Sequence, residues 1–163
     1  MPKRKLLSRA WQPMPDVVYC SPVPDEISDV VELASALHQD YGFSAEFNRE
    51  WKRGYLQRFV EEGDRFLRIA RCNDTIWGYV AARREPMTAL QSSRVHLLEL
   101  YVDPSSRGCR IGTKLVSLVV EWASTASSYE VLANVSLSNQ HRARNLFERA
   151  GFVPRTISMV RPL

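Results

Sequence analysis

Residues 94–126 read RVHLLELYVDPSSRGCRIGTKLVSLVVEWASTA: a strand-like apolar run, a basic turn with two glycines, and a run at helical spacing. No other stretch restricts the fold as much. The first run is rich in Leu and Val and ends at Asp103-Pro104, which reads as a strand over 94–102. After the turn, Leu115, Leu118, Val119, Trp122 and Ala126 recur on one side of a helix over 113–126. A strand feeding a helix through a short turn belongs to a mixed α/β layer structure.

The rest of the chain extends that pattern. Residues 17–23, VVYCSPV, read as a strand ending before Pro24. A helix follows, with Asp25 as its expected cap, Ile27, Val30, Val31, Ala34 and Leu37 on its inner side, and Gly42 as its stop. A second helix starts at Asn48, carries Trp51, Tyr55 and Phe59 on one face, and stops at Gly63. Strands are expected over 65–72 and 75–84, joined by a hairpin turn at Asn73-Asp74, and an irregular polar segment follows. Residues 129–137 read as another strand. HRARNLFERAGF reads as a helix with Ala143, Leu146, Phe147 and Ala150 inward and Gly151 as its stop. TISMVRPL closes the chain as a last strand. There is no internal repeat and no dividing linker, so one domain is expected over 17–163.

At 163 residues the chain is long enough to bury a sizeable core. Its net charge of +4 suggests a nucleic-acid partner only until the charges are placed. Lys3, Arg4, Lys5 and Arg9 precede the first acidic residue, Asp16. Without these four, 18 of the 22 basic residues remain against 18 acidic ones, so the body is neutral. The excess sits in residues 1–16, a basic, proline-containing leader expected to be disordered. No nucleic-acid partner is expected. No apolar run approaches the roughly 18 residues of a membrane span, so no membrane partner is expected either. Cys20, Cys72 and Cys109 are odd in number and widely spaced, which gives neither a disulfide framework nor a metal site. A reducing cytoplasm is the expected compartment, with a monomer or homodimer as the assembly.

The basic turn has a physical use. Backbone N–H groups at a helix start lack intrahelical partners, and the helix dipole adds positive charge there, which together favour an anion such as phosphate. Gly112 permits close approach, while Arg107, Arg110 and Lys114 add charge. Neither GxGxxG nor GxxxxGK[ST] is present, so this is not a dinucleotide fingerprint or a P-loop. On its own the turn is equally well a surface bend.

LELYVDPSSRGCRIGTKLV followed by NQHRARNLFERAGF resembles the GCN5-related N-acetyltransferase family, which moves acetyl from acetyl-CoA to an amine. The family's pyrophosphate loop reads [RQ]-x-x-G-x-[GA] after its fourth strand. Arg107 and Gly112 match its ends, and Arg110 stands where the middle glycine is usual. The later A-x-x-L-Y-x-x-x-G-F pattern is matched by Ala143, Leu146, Gly151 and Phe152, with Phe147 replacing the tyrosine. The resemblance spans nearly the whole chain. It implies a central, mostly antiparallel, twisted sheet of about six to seven strands flanked by about four helices.

It also implies a site. Residues Arg107, Gly108, Cys109, Arg110, Ile111, Gly112 and Thr113 would hold the pyrophosphate of acetyl-CoA. Main-chain groups of Leu100, Tyr101 and Val102 would bind the pantetheine arm. Asn139, or Gln140 by counting back from Gly151, would contact the cofactor. The Arg110 departure is harmless to main-chain donors unless that position requires φ > 0. Phe147 cannot protonate a leaving thiolate as the family's tyrosine is thought to do.

An amine acceptor arrives protonated and must lose a proton before attack. Glu99 is the expected base: it interrupts an apolar strand and stands where the family often places a glutamate. His96 is second, on the opposite face of an undistorted strand unless a bulge intervenes. For the acceptor, Asp40, Tyr41, Phe43, Glu46 and Trp51 are expected to offer an acidic, aromatic wall, with Phe43, Phe47 and Trp51 read equally well as core.

Overall fold

Local signals start and stop the elements much as expected. The computed structural model describes residues 16–42, 46–88, 91–135 and 140–155. In chain order these form β1 (Val17–Cys20), α1 (Ile27–Asp40), α2 (Arg49–Glu61), β2 (Arg65–Cys72), β3 (Thr75–Met87), β4 (Ser92–Val102), α3 (Ile111–Thr125), β5 (Glu130–Ala133) and α4 (Gln140–Arg149). The basic leader up to residue 15 and the expected strand over 156–163 lie outside the described residues, as do Phe43 and Asn139.

Asn48 caps α2 by accepting a hydrogen bond from the Trp51 N–H at 2.9 Å. Asp25 does not cap α1. It sits in a 3-10 turn, Pro24–Glu26, and the Glu26 carboxylate instead accepts from the Val23 N–H at 2.9 Å. Gly151 adopts φ 87° past α4, and Phe152 N–H returns to the Phe147 carbonyl at 3.0 Å, the turn that ends the helix.

The described strands make one five-stranded sheet in the order β1-β2-β3-β4-β5, fewer strands than the six to seven expected. β1 to β4 pair antiparallel, whereas β4 and β5 run parallel, joined by the α3 crossover. The segment expected to be irregular is largely strand: β3 and β4 stay paired out to Met87↔Ser92. Pro86 is tolerated inside β3 for a simple reason. The N–H of Arg84 points to the β2 side, where it donates to the Asp64 carbonyl at 2.7 Å. Pro86 is two residues further along, past the end of β2 pairing at Arg65↔Arg83, so no ladder bond is lost.

The sheet is buried on both faces. Under α1 and α2 lie Leu67, Ile69, Tyr79, Ala81 and Tyr101. Under α3 lie Val80, Ala82, Val95 and Leu97, with Phe147 of α4 in the same cluster. The buried stripe of α3 is Ile111, Leu115, Val116, Val119 and Ala123. Trp122 is rotated to its edge, where it stacks on Phe66 at 5.0 Å. Full burial of each large aliphatic side chain contributes about 1.5–3 kcal/mol, so these two faces fix the frame that holds the cleft described below.

Candidate active site

One residue of β4 has no opposite number on β3. Ala81 pairs with Glu99 and Ala82 with Leu97, leaving Leu98 as a bulge. Two consequences follow. Arg83, two residues from Ala81, pairs with His96, so His96 and Glu99 point to the same face and not to opposite ones. The parallel ladder to β5 also stops at the bulge, with Leu97↔Ala133 as its last pair. Beyond it, residues 98–102 present a strand edge that no β5 residue covers.

A cleft of about 500 Å³ opens along that edge. Its walls include Leu100, Tyr101 and Val102 from β4, and Arg107, Gly108, Arg110, Ile111, Gly112 and Thr113 from the turn and α3. All were expected at a cofactor site. Cys109 is not in the wall; its thiol packs with the residues under α3. The N–H groups of Gly108, Cys109, Arg110, Ile111, Gly112 and Thr113 donate to no acceptor among the described residues, and the first helical bond runs from Lys114 N–H to the Arg110 carbonyl at 3.0 Å. Six adjacent donors at the positive end of a helix, opening on a cleft, suit a phosphate chain.

The charged side chains of the turn differ from expectation. Arg107 is occupied: its Nε donates to the Val102 carbonyl at 2.9 Å, and its terminal nitrogen meets Asp40 at 3.2 Å. It staples the turn to the end of β4 and to α1. This also neutralises Asp40, which was expected to face a cationic acceptor. Lys114 turns away from the cleft towards Glu121, 3.8 Å off. Arg110 is left-handed, with φ 59° and ψ 14°. The position therefore does require φ > 0, and a side chain there costs about 1–2 kcal/mol relative to glycine.

Gly112 has a packing role as well as an access role. A Cβ there would lie 2.8 Å from Leu146 Cδ1 and 3.7 Å from Val102 Cγ2. Gly112→Val is therefore expected to displace the Leu146 side chain, costing about 1–3 kcal/mol of stability, while weakening nucleotide binding at least tenfold. Thermal melts and calorimetry on the same preparation check both parts; unchanged affinity in a folded variant removes the phosphate assignment.

Glu99 projects under α1 and α2 and is not among the cleft-lining residues. Its Oε1 accepts from the Lys52 ammonium, and its Oε2 from the Tyr79 hydroxyl at 2.6 Å. Lys52 is only 7% exposed, and its ammonium also sits 4.9 Å from the Tyr55 ring centre. Burial, then the Glu99 charge and hydrogen bond, hold the Tyr79 phenol well above its ordinary range. Burial and then Glu99 also raise Tyr41 and Tyr55, so three phenols around the carboxylate stay protonated. Tyr41 alone of the three lines the cleft.

His96 contacts a different set. Its Nε2 is 3.3 Å from the Asn134 amide and its Nδ1 4.0 Å from Glu85. Trp51, expected to be core or acceptor wall, is 62% exposed and stacks on Tyr55 at 5.2 Å. Phe47 packs beside His38 at 5.3 Å, at the edge of the core under α1 and α2. Glu46 is exposed. Phe147 is buried, lines the cleft and packs on Phe152 at 5.1 Å.

Sequence reading missed Lys52, Tyr79, Asn134, Arg142 and Arg149. Lys52 carried a signal: it precedes Leu56 and Phe59 on the buried stripe of α2, so a lysine occupies an apolar position. A buried cation needs a partner, and Glu99 supplies it. Among the described residues no helix is long and apolar enough to cross a membrane, and no three His, Cys, Asp or Glu side chains group as metal ligands.

Comparison with known proteins bears on the family and the fold. Residues 29–152 match the model of the acetyltransferase (GNAT) family. An uncharacterized N-acetyltransferase of Methanocaldococcus jannaschii is 24% identical over 129 residues, 78% of this chain; the match spans 57% of that protein's length. Among solved structures, glucosamine-6-phosphate N-acetyltransferase of Arabidopsis thaliana aligns with a TM-score of 0.73 at 16% identity, covering 90% of this chain and 98% of that one. A predicted acetyltransferase of Clostridium acetobutylicum with acetyl-CoA gives 0.76 at 17%, covering 90% and 96%. An aminoglycoside acetyltransferase from a soil metagenomic sample gives 0.70 at 12%, covering 92% and 97%. These likenesses concern the fold. With three quarters of its residues under one family model, the chain belongs to the acetyltransferase (GNAT) family.

Proposed function

We propose that this protein is an acetyl-CoA-dependent N-acetyltransferase that acetylates a primary amine on a small molecule by direct attack. The observation that carries the reading is the shared cleft: a strand edge freed by the Leu98 bulge runs into a turn whose N–H groups, at the start of α3, have no acceptor among the described residues. An extended, amide-containing arm ending in a pyrophosphate matches both halves. Leu100, Tyr101 and Val102 would hold the arm through the main chain, and residues 107–113 the phosphates. Asn139 would add a further contact. When bound, acetyl-CoA supplies an activated thioester carbon.

The chain's own residues handle the protons. Glu99 is the base. Each carboxylate oxygen has two lone-pair positions, so the bonds from Lys52 and Tyr79 leave room for a proton. Because Glu99 stands behind the cleft wall, Tyr41, which lines the cleft and feels Glu99, or a water links it to the acceptor. The amine nitrogen bonds to the thioester carbon as its proton passes towards Glu99. The carbon–sulfur bond breaks, and the thiolate takes a proton from solvent or a cleft hydroxyl.

An amino sugar or aminoglycoside-like acceptor, or a polyamine, is favoured over a protein lysine or N-terminus. Structures of a glucosamine-6-phosphate and an aminoglycoside acetyltransferase share the fold. The deciding experiment is release of free CoA thiol with a panel of amino sugars, aminoglycosides, polyamines and peptides. Binding of acetyl-CoA with no turnover on any amine favours a second reading, a non-catalytic acetyl-CoA-binding module. Phe147, with no hydroxyl to offer, and a Glu99 carboxylate already bonded once at each oxygen are what support it. Phe147→Tyr is expected to raise the turnover number several-fold by placing a hydroxyl in the cleft, read by the same thiol assay; a fall with intact binding means the thiolate is protonated elsewhere.

A further inference from the structure

Four arginines line the cleft, Arg107, Arg110, Arg142 and Arg149, against one acidic residue, Asp40. Asp40 is spent on Arg107. The side chains of the other three make no ion pair or hydrogen bond among the described residues, although the neighbouring Arg144 is paired with Glu148 at 2.7 Å. Arg142 and Arg149 are seven residues apart on α4, so they project from one side of that helix. Arg110, at the start of α3, lines the same cleft. The cleft thus holds three uncompensated positive charges, beyond six main-chain donors that already suffice for a pyrophosphate.

Arg110 is the informative member. Its backbone is left-handed, a conformation in which glycine is unstrained and every branched or long side chain is not. A strained residue at a ligand cleft marks a place where the side chain is kept for what it contacts. An arginine adds a planar fork of donors suited to a phosphate monoester.

We propose that Arg110, supported by Arg142 and Arg149, makes this protein selective for the 3′-phosphate of its coenzyme, so that CoA is bound in preference to 3′-dephospho-CoA. The proposal rests on the acetyl-CoA reading above. It assigns the side chain of Arg110 to the phosphate monoester and leaves the pyrophosphate to the main chain.

The test is calorimetric. CoA and 3′-dephospho-CoA are titrated into the wild type, Arg110→Gly and Arg142→Ala, and each protein is melted without ligand. The wild type is expected to bind CoA at least tenfold more tightly than 3′-dephospho-CoA. In Arg110→Gly that preference should fall to within about threefold through loss of CoA affinity, with 3′-dephospho-CoA little changed. Relief of the left-handed strain should meanwhile hold or raise the melting temperature by about 2 °C, so weaker binding cannot be blamed on the fold. Arg142→Ala should lose part of the preference. Equal weakening towards both nucleotides, or a preference unaltered by Arg110→Gly, overturns the proposal and leaves the coenzyme reading intact. Failure of the wild type to bind either nucleotide overturns both.

Discussion

Glu99→Gln is expected to lower the turnover number by about 10²–10⁴ at neutral pH while acetyl-CoA binding persists, because the amide cannot accept the acceptor's proton. The sign of the pH dependence follows from the acceptor. A lysine-like amine is protonated below a pKa of about 10, so the deficit should shrink as pH rises and more of the amine arrives neutral. The structure adds a stability cost. Glutamine can still accept from the Tyr79 hydroxyl, but its other end leaves the buried Lys52 ammonium without a counter-charge. A loss of about 1–3 kcal/mol is expected from that. Turnover from neutral to alkaline pH, measured where the variant is fully folded, separates the two effects. Near-wild-type turnover at neutral pH means that Glu99 serves only to anchor Lys52 and Tyr79, and His96 or a water becomes the base.

The largest loss of stability from a single methyl group is expected at Gly78→Ala. A Cβ there would sit 2.6 Å from the Tyr101 carbonyl oxygen and 3.3 Å from Val102 Cα. These are backbone atoms of the paired strand and have no rotamer to move into. β3 and β4 must part where Gly78 opposes Val102, at a cost of about 3 kcal/mol, or roughly 10 °C in melting temperature. Tyr101 and Val102 also line the cleft, so coenzyme affinity should fall with it. A melt within 2 °C of wild type would show that the strands yield more easily than their spacing implies.

Most of the framework was legible because it rests on local chemistry. Asn48 announces α2, Gly151 ends α4, and the glycine turn at 107–113 opens α3. What was not legible depends on partners far away in sequence. The Leu98 bulge leaves no mark in LLELYV, since it is defined by what β3 does opposite, and without it His96 and Glu99 fall on opposite faces. Lys52 and Glu99 lie 47 residues apart, and nothing near either one names the other. The occupation of Arg107 by Asp40, 67 residues away, is of the same kind. Arg110 was visible as a departure from the usual glycine, but only the backbone angle shows that the departure is strained.

The bulge also bears on how such a chain can change over generations. Leu98 is the extra residue of β4, and its side chain packs on the core and lines the cleft. Remove one residue from β4 at this point and every side chain before it exchanges faces relative to those after it. The shared orientation of His96 and Glu99 is thus tied to one count of residues. A lineage that gains or loses a codon here forfeits that shared orientation in a single step.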